Sequence, residues 1–188
     1  MNTLKTTMTI FLLAGCFLSI SAWAADKAAG EQKAAHCAGC HGSGGKSTNA
    51  QFPNLAAQQA TYIVAQLKAF KSGERKNPMM ESMAANLSDA DMENLAEYFS
   101  GLPAVTAGGD ATLAKTGQEK TKVCLSCHGK TATGNGEIPR LAGQQPDYIV
   151  KQLSSFKNGS RINGSMQAIA GTLAEEDMKA LAAYFGSL

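Results

Sequence analysis

Aromatic residues are scarce in this chain of 188: one tryptophan, four tyrosines and seven phenylalanines, 6% in all. Two small folding units with so few large side chains would have thin cores, and something other than side chains would have to fill them. Charge of one sign is lacking too. Seventeen basic residues against 15 acidic ones leave a formal net charge of +2, which gives no reason to expect nucleic-acid binding. Histidine is limited to His36, His41 and His128, too few for the usual zinc patterns of cysteine and histidine. No segment alternates polar and apolar residues for long, so an all-α fold is expected. The longest apolar run, Met8 to Ile20, falls short of the roughly 18 residues that a membrane anchor needs. What remains is 44% hydrophobic and 17% charged, a globular composition rather than a disordered one.

That apolar run belongs to a segment unlike the rest. Lys5 is the only charge before Asp26, and Ala22-Trp23-Ala24 reads as a small-x-small cleavage site. Residues 1–24 are expected to be a secretory signal peptide, cleaved after Ala24, with the periplasm as destination. Leu13-Ala14-Gly15-Cys16 also resembles a lipoprotein box, with Cys16 as the lipidated residue. Plain secretion is preferred, because lipidation would leave apolar Phe17 to Ala25 where a polar tether is usual.

Five cysteines are present, and Cys16 would leave with the signal. The other four stand in two strings, Cys37-Ala38-Gly39-Cys40-His41 and Cys124-Leu125-Ser126-Cys127-His128. Four cysteines in an exported chain invite two disulfides. A thioredoxin-like pair would need βαβ alternation, which the sequence does not show. The histidine directly after each pair points elsewhere, because Cys-x-x-Cys-His is the attachment signature of a c-type haem. Two thioether links must reach two vinyl groups on one porphyrin edge, and the next residue must offer an imidazole nitrogen under the iron. Two covalently bound haem c groups are therefore expected. His36 has no equivalent in the second string, where Val123 stands, and reads as a surface residue.

The two strings are part of a larger repeat. Cys37 corresponds to Cys124 at an offset of 87, and beyond the haem loop the offset becomes 86, so one residue has been lost there. Pro53 and Leu55 then match Pro139 and Leu141, and Gln58-Gln59 match Gln144-Gln145. Tyr62-Ile63-Val64 match Tyr148-Ile149-Val150, Phe70-Lys71 match Phe156-Lys157, and Arg75 matches Arg161. Asp91-Met92 match Asp177-Met178, and Tyr98-Phe99 match Tyr184-Phe185. A period this long implies two domains by internal duplication rather than a solenoid. The boundaries are placed at residues 25–103 and 111–188, with a linker of small residues at 104–110.

Each half reads as helix, haem loop, helix, ligand loop, helix. The first helix is expected from about Asp26 to His36, and from about Ala111 to Val123 in the second half. The middle helix carries Ala60, Ile63, Val64, Leu67 and Phe70 at helical spacing and stops at Gly73, its copy at Gly159. The last helix starts at Ser88, with Asp91 three residues on as in a capping box. Met92, Leu95, Ala96 and Phe99 form its apolar stripe.

An electron-carrying haem usually has both axial positions filled. With histidine exhausted, a methionine thioether is the next partner, and it raises the reduction potential. The first half offers Met79, Met80, Met83 and Met92, the second only Met166 and Met178. Met92 and Met178 sit at the fourth position of a helix, where they read as packing residues. Met166 corresponds to Met80 through the repeat, and Met83 to Ile169. His41 with Met80, and His128 with Met166, are the expected axial ligands, with Met79 the rival at the first site.

With the doubled Cys-x-x-Cys-His, the doubled methionine segment and the doubled Tyr-Phe, the chain resembles the dihaem cytochrome c4 family: two class I cytochrome c domains in tandem. In class I domains a proline carbonyl accepts a hydrogen bond from the ligand histidine, and Phe52-Pro53-Asn54-Leu55 and Ile138-Pro139-Arg140-Leu141 resemble that segment. The family also packs its first and last helices closely at a glycine. Gly30 and Gly117 match, which the resemblance places against the Tyr98/Phe99 and Tyr184/Phe185 regions. Arg75, Arg140, Arg161, Tyr62 and Tyr148 are candidates for contact with haem propionates.

The resemblance implies a periplasmic electron carrier rather than an enzyme. It would take electrons from a quinol-oxidising complex or another donor and deliver them to a terminal oxidase, with peripheral contact at the membrane. Charge is uneven: residues 25–103 hold seven basic and eight acidic side chains, and residues from 104 onward nine and seven. Two other readings stand beside this one. The haem subunit of a flavin-containing sulfide dehydrogenase also resembles two tandem class I domains and would show an apolar face. A dihaem peroxidase would need one open iron, against a methionine in both halves.

Overall fold

The structure, a computed structural model, describes residues 24–188. Most of the expected signal peptide, including Cys16, lies outside the described residues. Among these, regular structure is helical, apart from one isolated bridge between Asn135 and Ile138. The first half holds α1 (Lys27–Ala34), α2 (Ala38–His41), α3 (Ala60–Ser72), α4 (Pro78–Ala84) and α5 (Asp89–Ser100). The second holds α6 (Ala111–Glu119), α7 (Lys122–His128), α8 (Pro146–Lys157), α9 (Gly164–Gly171) and α10 (Glu175–Ser187).

The helix ends follow local chemistry. Asp26 caps α1, its carboxylate accepting from the Ala28 and Ala29 amides at 2.8 and 3.1 Å. Gly73 ends α3 in the left-handed region at φ 74°. Ser88 and Asp91 form a reciprocal capping box at the start of α5. Its copy is half-made: Ala174 has no side-chain acceptor, so only Asp177 reaches back, at 3.4 Å.

Two expectations need correction. The first helix does not run on to the cysteines. It ends at Ala34, where the Ala35, His36 and Cys37 amides bond three residues back instead of four, and α2 then starts afresh. The equivalent break falls at Lys120 and Thr121, so α7 rather than α6 carries Cys124 to His128. The methionine segments are not loops but the short helices α4 and α9. Asn77 and Asn163 begin them by accepting from the Met80 and Met166 amides at 3.1 and 3.0 Å, and Pro78 fits the first turn of α4.

Within each half the first and last helices cross at a glycine. A Cβ on Gly30 would lie 2.0 Å from the Asn94 carbonyl oxygen, and one on Gly117 2.0 Å from that of Ala180. The atoms nearest to Gly30 include Tyr98 Cβ, and those nearest to Gly117 belong to Ala180 and Leu181. In both halves the nearest contact is a carbonyl at the same place in the repeat, Asn94 or Ala180, one turn before Tyr98 or Tyr184. Equivalent ion pairs pin both crossings, Lys33 to Asp91 and Lys120 to Asp177, each at 2.8 Å.

The two cores are copies. Ile63, Leu95, Ala96 and Phe99 are buried together in one half, Ile149, Leu181, Ala182 and Phe185 in the other. Met92 and Met178 are fully buried, in keeping with packing roles. The extra residue of the first haem loop is Lys46. The Leu55 and Ala56 amides bond the Gly45 carbonyl as those of Leu141 and Ala142 bond the Ala132 carbonyl. One residue later, Ser47 and Thr133 are already equivalent, each accepting from a glutamine of the other half.

Substituting Gly30→Ala or Gly117→Ala should destabilise the holoprotein by about 1–3 kcal/mol of overpacking, beyond the ~1 kcal/mol gained in helix propensity, and so lower its denaturation midpoint. Gly171→Ala, with open space around it, should not. The Lys33 ammonium, with help from Ser88, holds the Asp91 carboxyl down at about 2. Stability from this pair is full above the ordinary aspartate range and lost as pH falls towards 2. Carboxyl titration followed by NMR should show that low midpoint, and Lys33→Ala should raise it.

Candidate functional site

One cavity of about 1700 Å³ runs through both halves. Ligand pockets for a single small molecule are usually about 300–1,000 Å³, so this one is sized for more than one group or a very large one. Its walls bring together all eight residues singled out by the two motifs and the repeat. Cys37, Cys40, His41 and Met80 line it from the first half, and Cys124, Cys127, His128 and Met166 from the second. The four cysteines are free thiols, so no disulfide closes either pair.

The histidines are prepared as ligands. His41 Nδ1 donates to the Pro53 carbonyl at 2.9 Å, and His128 Nδ1 to the Pro139 carbonyl at 2.8 Å. A carbonyl can only accept, so the proton sits on Nδ1 and Nε2 keeps its lone pair. Both rings are buried. Burial pulls both below the ordinary histidine range, against the opposing effect of the proline carbonyls. Neutral imidazole is the metal-binding form.

Met80 and Met166 occupy the same place, the third residue of a short helix whose capping asparagine holds their amide. Both are half-buried. Met79 is 52% exposed, although it also lines the cavity. Met83, expected to pack, is 43% exposed at the cavity wall. His36 is exposed beside Cys37, as a surface residue should be.

The seam between the halves is polar and nearly two-fold. Gln58 Nε2 donates to the Arg140 carbonyl and Gln144 Nε2 to the Asn54 carbonyl, both at 3.0 Å. The Arg140 and Asn54 amides donate back at 2.7 Å each. Gln59 and Gln145 reach the Thr133 and Ser47 carbonyls. Arg75 stacks on Phe70 and Arg161 on Phe156, each guanidinium carbon 4.5 Å from the ring centre. Each arginine then crosses the seam, Arg75 to Tyr148 and Arg161 to Tyr62, both at 2.9 Å. Burial raises the Tyr148 phenol, but the Arg75 and Arg161 charges and the Arg75 hydrogen bond pull it down further, so the net shift is downward. The sequence showed these residues as repeat matches. Only the folded seam shows that the glutamines pair the halves.

These walls fit two haem c groups: paired free thiols, a histidine with a free Nε2 beside each pair, a methionine in each half and room for both. Residues 27–103 match the family described as cytochrome c, and residues 112–185 the family described as cytochrome c oxidase, cbb3-type, subunit III. Cytochrome c4 of Pseudomonas aeruginosa is 34% identical over 180 residues, covering 88% of this chain and 90% of the relative. The thiosulfate dehydrogenase electron acceptor of Stutzerimonas stutzeri is 34% identical over 199 residues, 94% of this chain and 92% of the relative. The crystal structure of reduced recombinant cytochrome c4 from Pseudomonas stutzeri superposes with a TM-score of 0.83 at 34% identity, over 88% of this chain and 100% of that one. This likeness over nearly the whole length implies two covalent haem c groups and redox proteins as partners. The chain belongs to the dihaem cytochrome c4 family and is a periplasmic electron carrier.

Proposed function

We propose that Cys37 and Cys40 carry the thioether links of one haem, and Cys124 and Cys127 those of the other. His41 and Met80 would hold the first iron, and His128 and Met166 the second. One observation carries this assignment. In each half, a histidine oriented by a proline carbonyl and a methionine at the third position of a capped helix line the same cavity as the cysteine pair. The division into residues 25–103 and 111–188, joined at 104–110, belongs to the same proposal.

When bound, each haem iron supplies a one-electron ferric–ferrous couple, at a potential raised by thioether ligation. The chain's own residues do the rest. Pro53 and Pro139 fix the imidazole planes and keep Nδ1 protonated. Asn77 and Asn163 fix the backbone beneath the methionines. The seam holds the two halves, and with them the two sites, in one arrangement.

The proposed destination of the electrons is a terminal oxidase, supported by the likeness of residues 112–185 to an oxidase subunit. The proposed donor is a quinol-oxidising complex. A relative named as the electron acceptor of thiosulfate dehydrogenase favours a second kind, a dehydrogenase of inorganic sulfur compounds. Oxidase and quinol complex both sit in the membrane, so the chain would work at its surface. No helix among the described residues is long and apolar enough to cross it. A fixed place as subunit of a flavin-containing dehydrogenase would call for an apolar face. Of the exposed large apolar residues among those described, Met79, Met83, Val123, Ile138 and Ile162 line the cavity, and Leu113 and Leu188 lie elsewhere.

Intact mass should exceed the polypeptide by two haems, and acidified organic solvent should extract neither. A mass with one haem would overturn the assignment. Met80→Ala should remove about half of the thioether-to-iron charge-transfer band and lower one potential, and Met79→Ala should do neither. The reverse pattern would show that the register of the repeat fails at this site. Reduced protein mixed with a cbb3-type oxidase and with other terminal oxidases should be reoxidised by at least one of them.

A further inference from the structure

Two guanidiniums that cross the seam, those of Arg75 and Arg161, form no ion pair with a carboxylate. The ion pairs among the described residues are Lys33–Asp91, Lys68–Asp89 and Lys120–Asp177, and none includes Arg75 or Arg161. Neutral oxygens hold the two guanidiniums instead. Gln66 Oε1 accepts from Arg75 Nη1 at 2.7 Å and from Arg161 Nη2 at 2.9 Å. Gln152 Oε1 accepts from Arg161 Nη1 at 2.7 Å and from Arg75 Nη2 at 2.8 Å. The four side chains close a ring across the two halves, and both lone pairs of each glutamine oxygen are spent. Tyr148 and Tyr62 cap the ring from outside, each hydroxyl accepting from the arginine of the other half.

Donors outnumber acceptors here. A guanidinium has five N–H bonds, of which each arginine uses three, and each tyrosine still has its own O–H to give. All six residues line the shared cavity. Two like charges joined through one ring repel in a partly dry site, so the arrangement asks for anions on its open side. Haem c brings carboxylates of its own, the propionates, and guanidinium binds carboxylate with the stronger, charge-assisted kind of hydrogen bond.

We propose that Arg75 and Arg161 are crossed positioning residues: each is carried by one half and helps set the reduction potential of the haem in the other. The spare donors of the ring take propionate carboxylates from both sides. A cation held there disfavours the ferric charge, so the ring raises both potentials. Because each arginine shares its glutamine acceptors and crosses to the other half's tyrosine, loss of either loosens the anion contacts of both haems. This inference rests on the two-haem reading above, which mass and spectrum test on their own.

The test is a redox titration of the full holoprotein followed by domain-resolved NMR, comparing wild type with Arg75→Gln and Arg161→Gln. Each variant should keep two haems and its thioether band. Each should lower both potentials, by about a tenfold change in ferric-to-ferrous ratio, or 59 mV for a one-electron couple. Arg75→Lys should restore part of the shift, because it returns the charge without the forked bonds. Tyr148→Phe and Tyr62→Phe remove one hydroxyl each with no change of charge, and they serve if an arginine variant does not accumulate. Each should move both potentials downward, by less. A shift confined to the haem of the mutated half, or no shift at either haem, would overturn the proposal.

Discussion

Each half is organised by a contact between two backbones, α1 on α5 at Gly30 and α6 on α10 at Gly117. With no side chain between them, the crossing helices approach until a carbonyl oxygen fills the space that a Cβ would need. The tight crossing anchors the turn that follows, where three-residue hydrogen bonds break the first helix and start the short helix of the haem motif. It also fixes the last helix, whose Leu95 and Phe99, or Leu181 and Phe185, form part of the cavity wall. Helices α3 and α4, or α8 and α9, then close around the remaining space without filling it. The scarcity of aromatic side chains is consistent with that design, since the cofactor rather than the chain supplies the large planar groups of the interior.

Much of this was legible in the sequence, because the chain states its plan twice. Cysteine and histidine spacing implied the cofactor. The capping pattern at Ser88 and the glycine stop at Gly73 were both local signals that the fold obeys. The misses were also local. Apolar periodicity cannot show that a helix tightens at Ala35 and restarts at Ala38, since both pieces keep similar helical residue types. The methionine segments looked like loops because Asn77-Pro78 and Asn163-Gly164 are turn-forming pairs. In the structure these same residues start helices, asparagine as cap and proline in the first turn.

The seam was the least legible part. Gln58, Gln59 and Gln66 recur as Gln144, Gln145 and Gln152, but a polar residue just before or on an amphipathic helix ordinarily faces water. Its use depends on what the fold places opposite, and here that is mostly backbone: the carbonyls of Arg140, Asn54, Thr133 and Ser47. Amide side chains suit this task, with a donor and an acceptor on one planar head. Gln58 and Gln144 use both towards the same backbone residue of the opposite half, as a neighbouring strand would.

The two-fold seam has a consequence for assembly. A face built of matching residues in both halves is isologous, the kind that joins identical subunits of a dimer. Two separate copies of one half could therefore make most of the same bonds. Joined through the short stretch from Gly101 to Asp110, they meet at an effective concentration in the millimolar range. A contact made of amides, hydroxyls and two guanidiniums then stays closed however dilute the chain is. The tether thus lets the halves meet through a wet, polar surface, and no exposed apolar face is needed to keep them paired.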